Sequence, residues 1–123
     1  MLLDDFIIDA NERLFMIRDR LNGPLGQPQL AEIYKHVRTI NGLAMHLEVS
    51  HIKAISTAII QLLECVINGT AGFSGRLDNL FQDSVSFLQL CLKELKLKIS
   101  LGCEEQYLYL LNRLQAEVTI RTG

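Results

Sequence analysis

Helix-breaking residues are scarce in this chain. Proline occurs only at Pro24 and Pro28 among 123 residues, so outside that one region nothing forbids a continuous helical reading. Tryptophan is absent and aromatics make up 7%, which leaves aliphatic side chains to fill the core. No stretch alternates apolar and polar residues as a half-buried strand does, and no internal repeat is evident. No dense basic stripe appears and the formal net charge is −2, so nucleic acid is not an expected partner. No apolar run approaches the roughly 20 residues that span a bilayer. Asp4 and Asp5 interrupt the start before a signal-peptide hydrophobic region forms. Membrane insertion is therefore not expected.

Cysteine is limited to Cys65, Cys91 and Cys103. An odd number at wide spacing argues for reduced thiols in a cytoplasmic protein rather than a disulfide framework. Cys65 and Cys91 fall on apolar helical patterns and read as small buried hydrophobes. The three cysteines and three histidines show no close metal-ligand spacing, so no zinc site is expected. No glycine-rich loop follows a strand, and Thr39 and Ser56 have no adjacent His–acid arrangement for nucleophilic catalysis. No cofactor is expected.

What is present is apolar and helical. Hydrophobic residues make up 49% of the chain and charged residues 21%, the balance of an ordinary globular domain rather than a disordered one. The length suits one domain with a real core, residues 1–123. Leu3, Ile7, Ala10, Leu14, Ile17 and Leu21 step by threes and fours and predict a helix over about 2–21. Asn22-Gly23-Pro24 stops it. A second helix is predicted over about 28–48, with Pro28 at its start. Ser50 reads as the N-cap of a third, about 51–68, carrying Ile52, Ile55, Ile59, Leu62, Leu63 and Val66. Thr70 to Gly75 reads as a loop containing Gly72 and Gly75. A fourth helix is expected over about 74–98, with Leu77, Leu80, Phe81, Ser84, Phe87, Leu88, Cys91, Leu92 and Leu95. A fifth, about 104–120, carries Tyr107, Leu108, Leu111, Leu114 and Val118. Long helices joined by short loops pack as antiparallel neighbours, so the expected fold class is all-α, an up-and-down four-helix bundle with an additional C-terminal helix.

One stretch organises the functional reading: Ile33-Tyr-Lys-His-Val-Arg-Thr-Ile-Asn-Gly-Leu-Ala-Met-His-Leu47. Ile33, Val37, Ile40, Ala44 and Leu47 share one helical face. Arg38, Asn41 and Gly42 lie off that face and form one surface patch. Gly42 stands mid-helix, where glycine costs about 1 kcal/mol against alanine, and such a glycine often marks a close approach to the backbone.

This stretch resembles the active helix of histidine phosphotransfer (HPt) domains, most of all the N-terminal domain of chemotaxis-type histidine kinases. That family reads roughly His-Thr-Leu-Lys-Gly-Ser-Ala here. The aligned residues are Arg38, Thr39, Ile40, Asn41, Gly42, Leu43 and Ala44. Thr39, Gly42 and Ala44 match, as does the apolar Ile40. The phosphorylatable histidine is replaced by Arg38 and the supporting lysine by Asn41. Phe6, Asn11 and Glu12 are similar to the family's first helix. The resemblance covers roughly residues 2–98 and extends loosely to the fifth helix. It implies a four-helix bundle with a fifth helix packed against it. In kinase-type members the next helix supplies a His and a Glu that tune the phosphorylated imidazole; the aligned positions here are Thr57 and Ile60.

Guanidinium stays protonated and has no free lone pair, so Arg38 cannot act as the nucleophile. His36 points roughly 200° from Arg38 around the helix, and His46 lies about 80° off and two turns on. His51 begins the next helix. All three read as solvated or partly packed surface histidines. The expected function is a non-catalytic HPt-like module, not an enzyme. It would bind a response-regulator receiver domain or a histidine-kinase component through Arg38, Asn41, Gly42 and Met45, with Arg38 at the degenerate phosphoacceptor position. The alternatives are a structural or dimerising bundle of a larger signalling protein, with homo-oligomerisation open, and phosphotransfer through His36, His46 or His51.

Overall fold

The computed structural model describes residues 2–69 and 73–122 and contains five helices. They are α1 (Leu3–Leu21), α2 (Gln27–His46), α3 (Ser50–Ile67), α4 (Gly75–Leu97) and α5 (Glu104–Thr122). Among the described residues the first four pack around a square: α1 against α2, α2 against α3, α3 against α4, and α4 back against α1. The fifth lies over α3 and α4. The fold is thus an all-α helical bundle with a C-terminal helix packed on one side.

The first helix forms where its charges and apolar period agree. Asp4 and Asp5 sit in the first turn of α1, Arg18 and Arg20 in its last, as the helix dipole favours. The buried face of α1 is Phe6, Ile7, Ala10, Leu14, Ile17 and Leu21. Phe6 is fully buried, while Leu3, expected on this face, is exposed as the first residue of the helix. The α2 start is held by Gln29, whose side chain accepts from the Gly26 N–H at 3.0 Å. Ser74 caps α4 by accepting from the Leu77 N–H. Gly75, where the expected loop and the expected helix from about 74 overlap, is the first residue of that helix; Gly72 lies outside the described residues.

Two ends differ from expectation for one reason. The second helix stops at His46 because Glu48 adopts a left-handed conformation, φ 57°. The Val49 N–H returns to the Ala44 carbonyl at 2.9 Å and the Glu48 N–H to Met45, the paired reversal of a Schellman motif. Glycine is usual at that position and none stands there. Val49 consequently takes the cap position of α3 and Ser50 becomes its first residue, with no side-chain cap bond. Lys98 is likewise left-handed, φ 56°, and ends α4.

Within the bundle α3 is the most enclosed helix, contacting α2, α4 and α5. That position explains its composition. By length and composition it is apolar enough to cross a membrane, yet half of it is buried inside the bundle. The fifth helix buries Leu110, Leu114 and Glu117, with Tyr107, Leu111 and Val118 half-buried at the edges. Leu108, expected on its apolar face, is 49% exposed, since it is turned about 100° from Tyr107. Buried Glu117 is paired with Arg76 of α4 and with Arg121 one turn on, so the charge is taken out of water with two partners in place.

Candidate functional site

The outer stripe of α2 follows from what its inner stripe buries. Leu30, Ile33, Val37, Ile40 and Ala44 face the core, which turns Lys35, Arg38, Gly42 and Met45 to solvent. These four recur at intervals of three and four residues, so they form one line along the helix. Two are cations. Lys53, exposed on α3, adds a third cation across the α2–α3 seam. Arg38 lies over the ring of Tyr34, one turn back, with its guanidinium carbon 5.7 Å from the ring centroid. An exposed cation–π contact of this kind is worth about 0.5–1 kcal/mol and leaves the guanidinium donors available. Among the described residues no carboxylate forms an ion pair with Arg38; Glu64 is engaged by the Tyr34 hydroxyl instead, at 3.1 Å.

At Gly42 an added Cβ would meet nothing within 4 Å. Packing within the molecule therefore does not require the glycine, and the helix backbone there is open to solvent. Met45, 53% exposed, continues the same line as a flexible apolar contact.

Asn41 behaves differently from its neighbours. It is half-buried, and its Nδ2 donates toward α3: to Ser56 Oγ and Thr57 Oγ1, each at 2.9 Å, and to the Lys53 carbonyl at 3.2 Å. Ser56 is fully buried and passes its own proton to the Ile52 carbonyl at 2.6 Å. Asn41 thus ties α2 to α3 beneath the stripe rather than projecting from it. Thr57 lies beside Asn41, while Ile60 is half-buried against the core. Thr39 turns its hydroxyl back to the Lys35 carbonyl at 3.1 Å.

The three histidines are dispersed. His36 is buried, not at the surface as expected, because α1 covers it: Arg13 Nη1 is 3.1 Å from His36 Nδ1. Burial first, and then the Arg13 charge, hold its pKa below the ordinary range. A guanidinium only donates, so Nδ1 accepts and its lone pair is occupied. His51 stacks on Tyr107 with ring centroids 4.1 Å apart, and its Nε2 is 3.1 Å from Glu104 Oε2, joining the starts of α3 and α5. His46 is exposed at the end of α2. None of the three adjoins Arg38 on the outer stripe.

A second cluster lies at the α4–α5 turn. Cys103 Sγ donates to Glu94 Oε1 at 3.1 Å, and the Leu101 N–H donates to Glu94 Oε2 at 2.6 Å. The Leu101 bond first, then the Cys103 bond, hold the Glu94 carboxyl below its ordinary range. Burial pushes the Cys91 thiol up to about 12 and raises Cys103 as well. Paired Cys and His spacing does not mark this cluster in the sequence, because its third member is a glutamate three residues after Cys91.

Comparison with protein-family models finds none that matches the chain, and comparison with curated proteins finds no match.

Proposed function

We propose that this chain is a non-catalytic, HPt-like signalling module that docks a receiver domain, or another domain of two-component signalling, without passing phosphate. The observation that carries this reading is the outer stripe of α2: an exposed arginine free of any described carboxylate, one turn from a glycine whose surroundings are open. A receiver presents an acidic pocket at its phosphorylation site. A permanent guanidinium can enter that pocket and form charge-assisted hydrogen bonds, while Lys35 and Lys53 add long-range attraction. Gly42 lets a partner backbone or side chain come close to the helix, and Met45 supplies adaptable apolar contact. With a guanidinium at the phosphoacceptor position, and with exposed His46 two turns away from it, docking ends in a complex rather than a transfer. On this reading the chain is a cytoplasmic inhibitor or scaffold, not an enzyme.

Calorimetric titration of receiver domains tests this directly. Arg38→Glu should weaken binding at least tenfold with unchanged helicity, because it places a carboxylate against the acidic pocket. Equal affinity for the two proteins removes Arg38 from the interface.

A self-associating bundle is the second reading, and the outer face of α1 favours it. Ile8 and Phe15, seven residues apart and so on one face, are 60% and 72% exposed. A concentration-dependent mass by sedimentation, abolished by Phe15→Ser, would support that reading.

A further inference from the structure

We propose that Cys91, Glu94 and Cys103 form a binding site for a borderline-soft divalent cation, zinc by ligand type. The site is separate from the α2 stripe and does not depend on the function proposed for it.

The chain builds the cluster in two steps. Cys91 and Glu94 stand three residues apart on α4 and therefore on one face, one turn from each other. The segment after α4 then folds back over that face. Lys98 and Gly102 both take positive φ, 56° and 66°, and the Ile99 N–H returns to the Glu94 carbonyl at 3.2 Å. This reversal delivers Cys103 to Glu94. The two sulfurs and a carboxylate oxygen all lie within 4.8 Å of one another. Around a tetrahedral zinc with Zn–S bonds of about 2.3 Å, two thiolate sulfurs stand roughly 3.8 Å apart. Rotamer adjustments of under an ångström thus close the three donors on one ion.

The surroundings suit such an ion. Both cysteines are buried, which keeps the sulfur side dry. The Leu101 N–H holds Glu94 Oε2 and leaves Oε1 directed at Cys103, the orienting hydrogen bond that metal-binding carboxylates require. On the other side, Cys91 and Glu94 line a cleft together with Ser50, His51 and Lys98. That opening gives an entry path and room for a fourth ligand, a water or the His51 imidazole if it leaves Glu104. Binding replaces the two thiol protons, which pass to solvent; no oxidation or reduction occurs.

The test is titration of the reduced protein, kept in a phosphine reductant, with Co2+ and then Zn2+. We expect saturation at one Co2+ per chain, a thiolate-to-cobalt charge-transfer band in the near ultraviolet, and visible d–d bands of tetrahedral intensity. Zn2+ should displace the Co2+ and raise the melting temperature, and a chelator should reverse that rise. Cys91→Ser and Cys103→Ser should each remove the charge-transfer band at the wild-type saturating concentration. Glu94→Gln should weaken binding about tenfold or more, and Cys65→Ser should leave spectrum and stoichiometry unchanged. Should Cys91→Ser lose its helicity, the Glu94→Gln variant decides, since Glu94 is only half-buried, with Cys103→Ser, which lies outside the helices, beside it. Absence of the charge-transfer band in the wild-type protein overturns the proposal. So does a band that survives in Cys103→Ser with unchanged intensity.

Discussion

Gly42 is the residue whose role is most easily isolated. A methyl group there has open space around it, so Gly42→Ala should stabilise the bundle by about 1 kcal/mol through helix propensity alone, read as a higher midpoint in urea. Gly42→Leu should keep that gain and yet block docking by bulk; normal receiver binding by the leucine variant would move the interface to another face. His36 carries a different prediction. Its imidazole is held below the ordinary value of 6.5 by burial and by Arg13, so the unfolded chain takes up the proton first as pH falls. Stability is therefore complete above about pH 6.5 and declines below it. His36→Gln should flatten that decline below about pH 6.5, measured by denaturation midpoints; an unchanged slope would assign it to other groups. The exposure of Arg38, Gly42 and Met45 was legible because helical period alone turns them away from Ile33, Val37, Ile40 and Ala44. The burial of His36 was not, since it depends on Arg13 arriving from another helix. Asn41 reads as surface by spacing, and only the neighbouring Ser56 and Thr57 reveal that its amide faces inward.

At the scale of the element, α3 is buried against α2, α4 and α5. Leu62 is fully buried near the middle of that helix. Leu62→Ala should destabilise the bundle by roughly 2–5 kcal/mol, the transfer loss plus a residual cavity, seen as a lower denaturant midpoint at unchanged slope. A loss under about 1 kcal/mol would mean that neighbouring side chains collapse into the space. The helices themselves were legible from apolar period and from the two prolines, Pro24 between α1 and α2 and Pro28 in the first turn of α2. Their ends were less so. Glu48 and Lys98 reverse the chain without the glycine that normally marks such a turn, so apolar period alone carries α2 past His46 and makes Ser50 look like a cap. In α5 a narrower apolar stripe let Leu108 pass for a core residue, and Glu117 could be read as buried only through its two arginine partners.

Across the whole molecule, the square of four helices leaves α2 with one broad face in solvent, and α5 covers α3 and α4 on a different side. The arrangement thus separates two chemistries. The stripe of Lys35, Arg38, Gly42 and Met45 suits an acidic partner surface, whereas the Cys91–Glu94–Cys103 cluster sits at the α4–α5 turn. Short loops and long amphipathic helices made the bundle legible from the sequence, but the cluster was hidden, because only the folded turn brings Cys103 beside Glu94. The central claim is docking without phosphate transfer. It is tested most directly by mixing the protein with phosphorylated receiver domains and following complex formation and phosphate location together. The account predicts a stable complex, weakened by Arg38→Glu, with no acid-labile phosphate on this chain. Phosphate appearing on His36, His46 or His51, or no complex with any receiver, would contradict it.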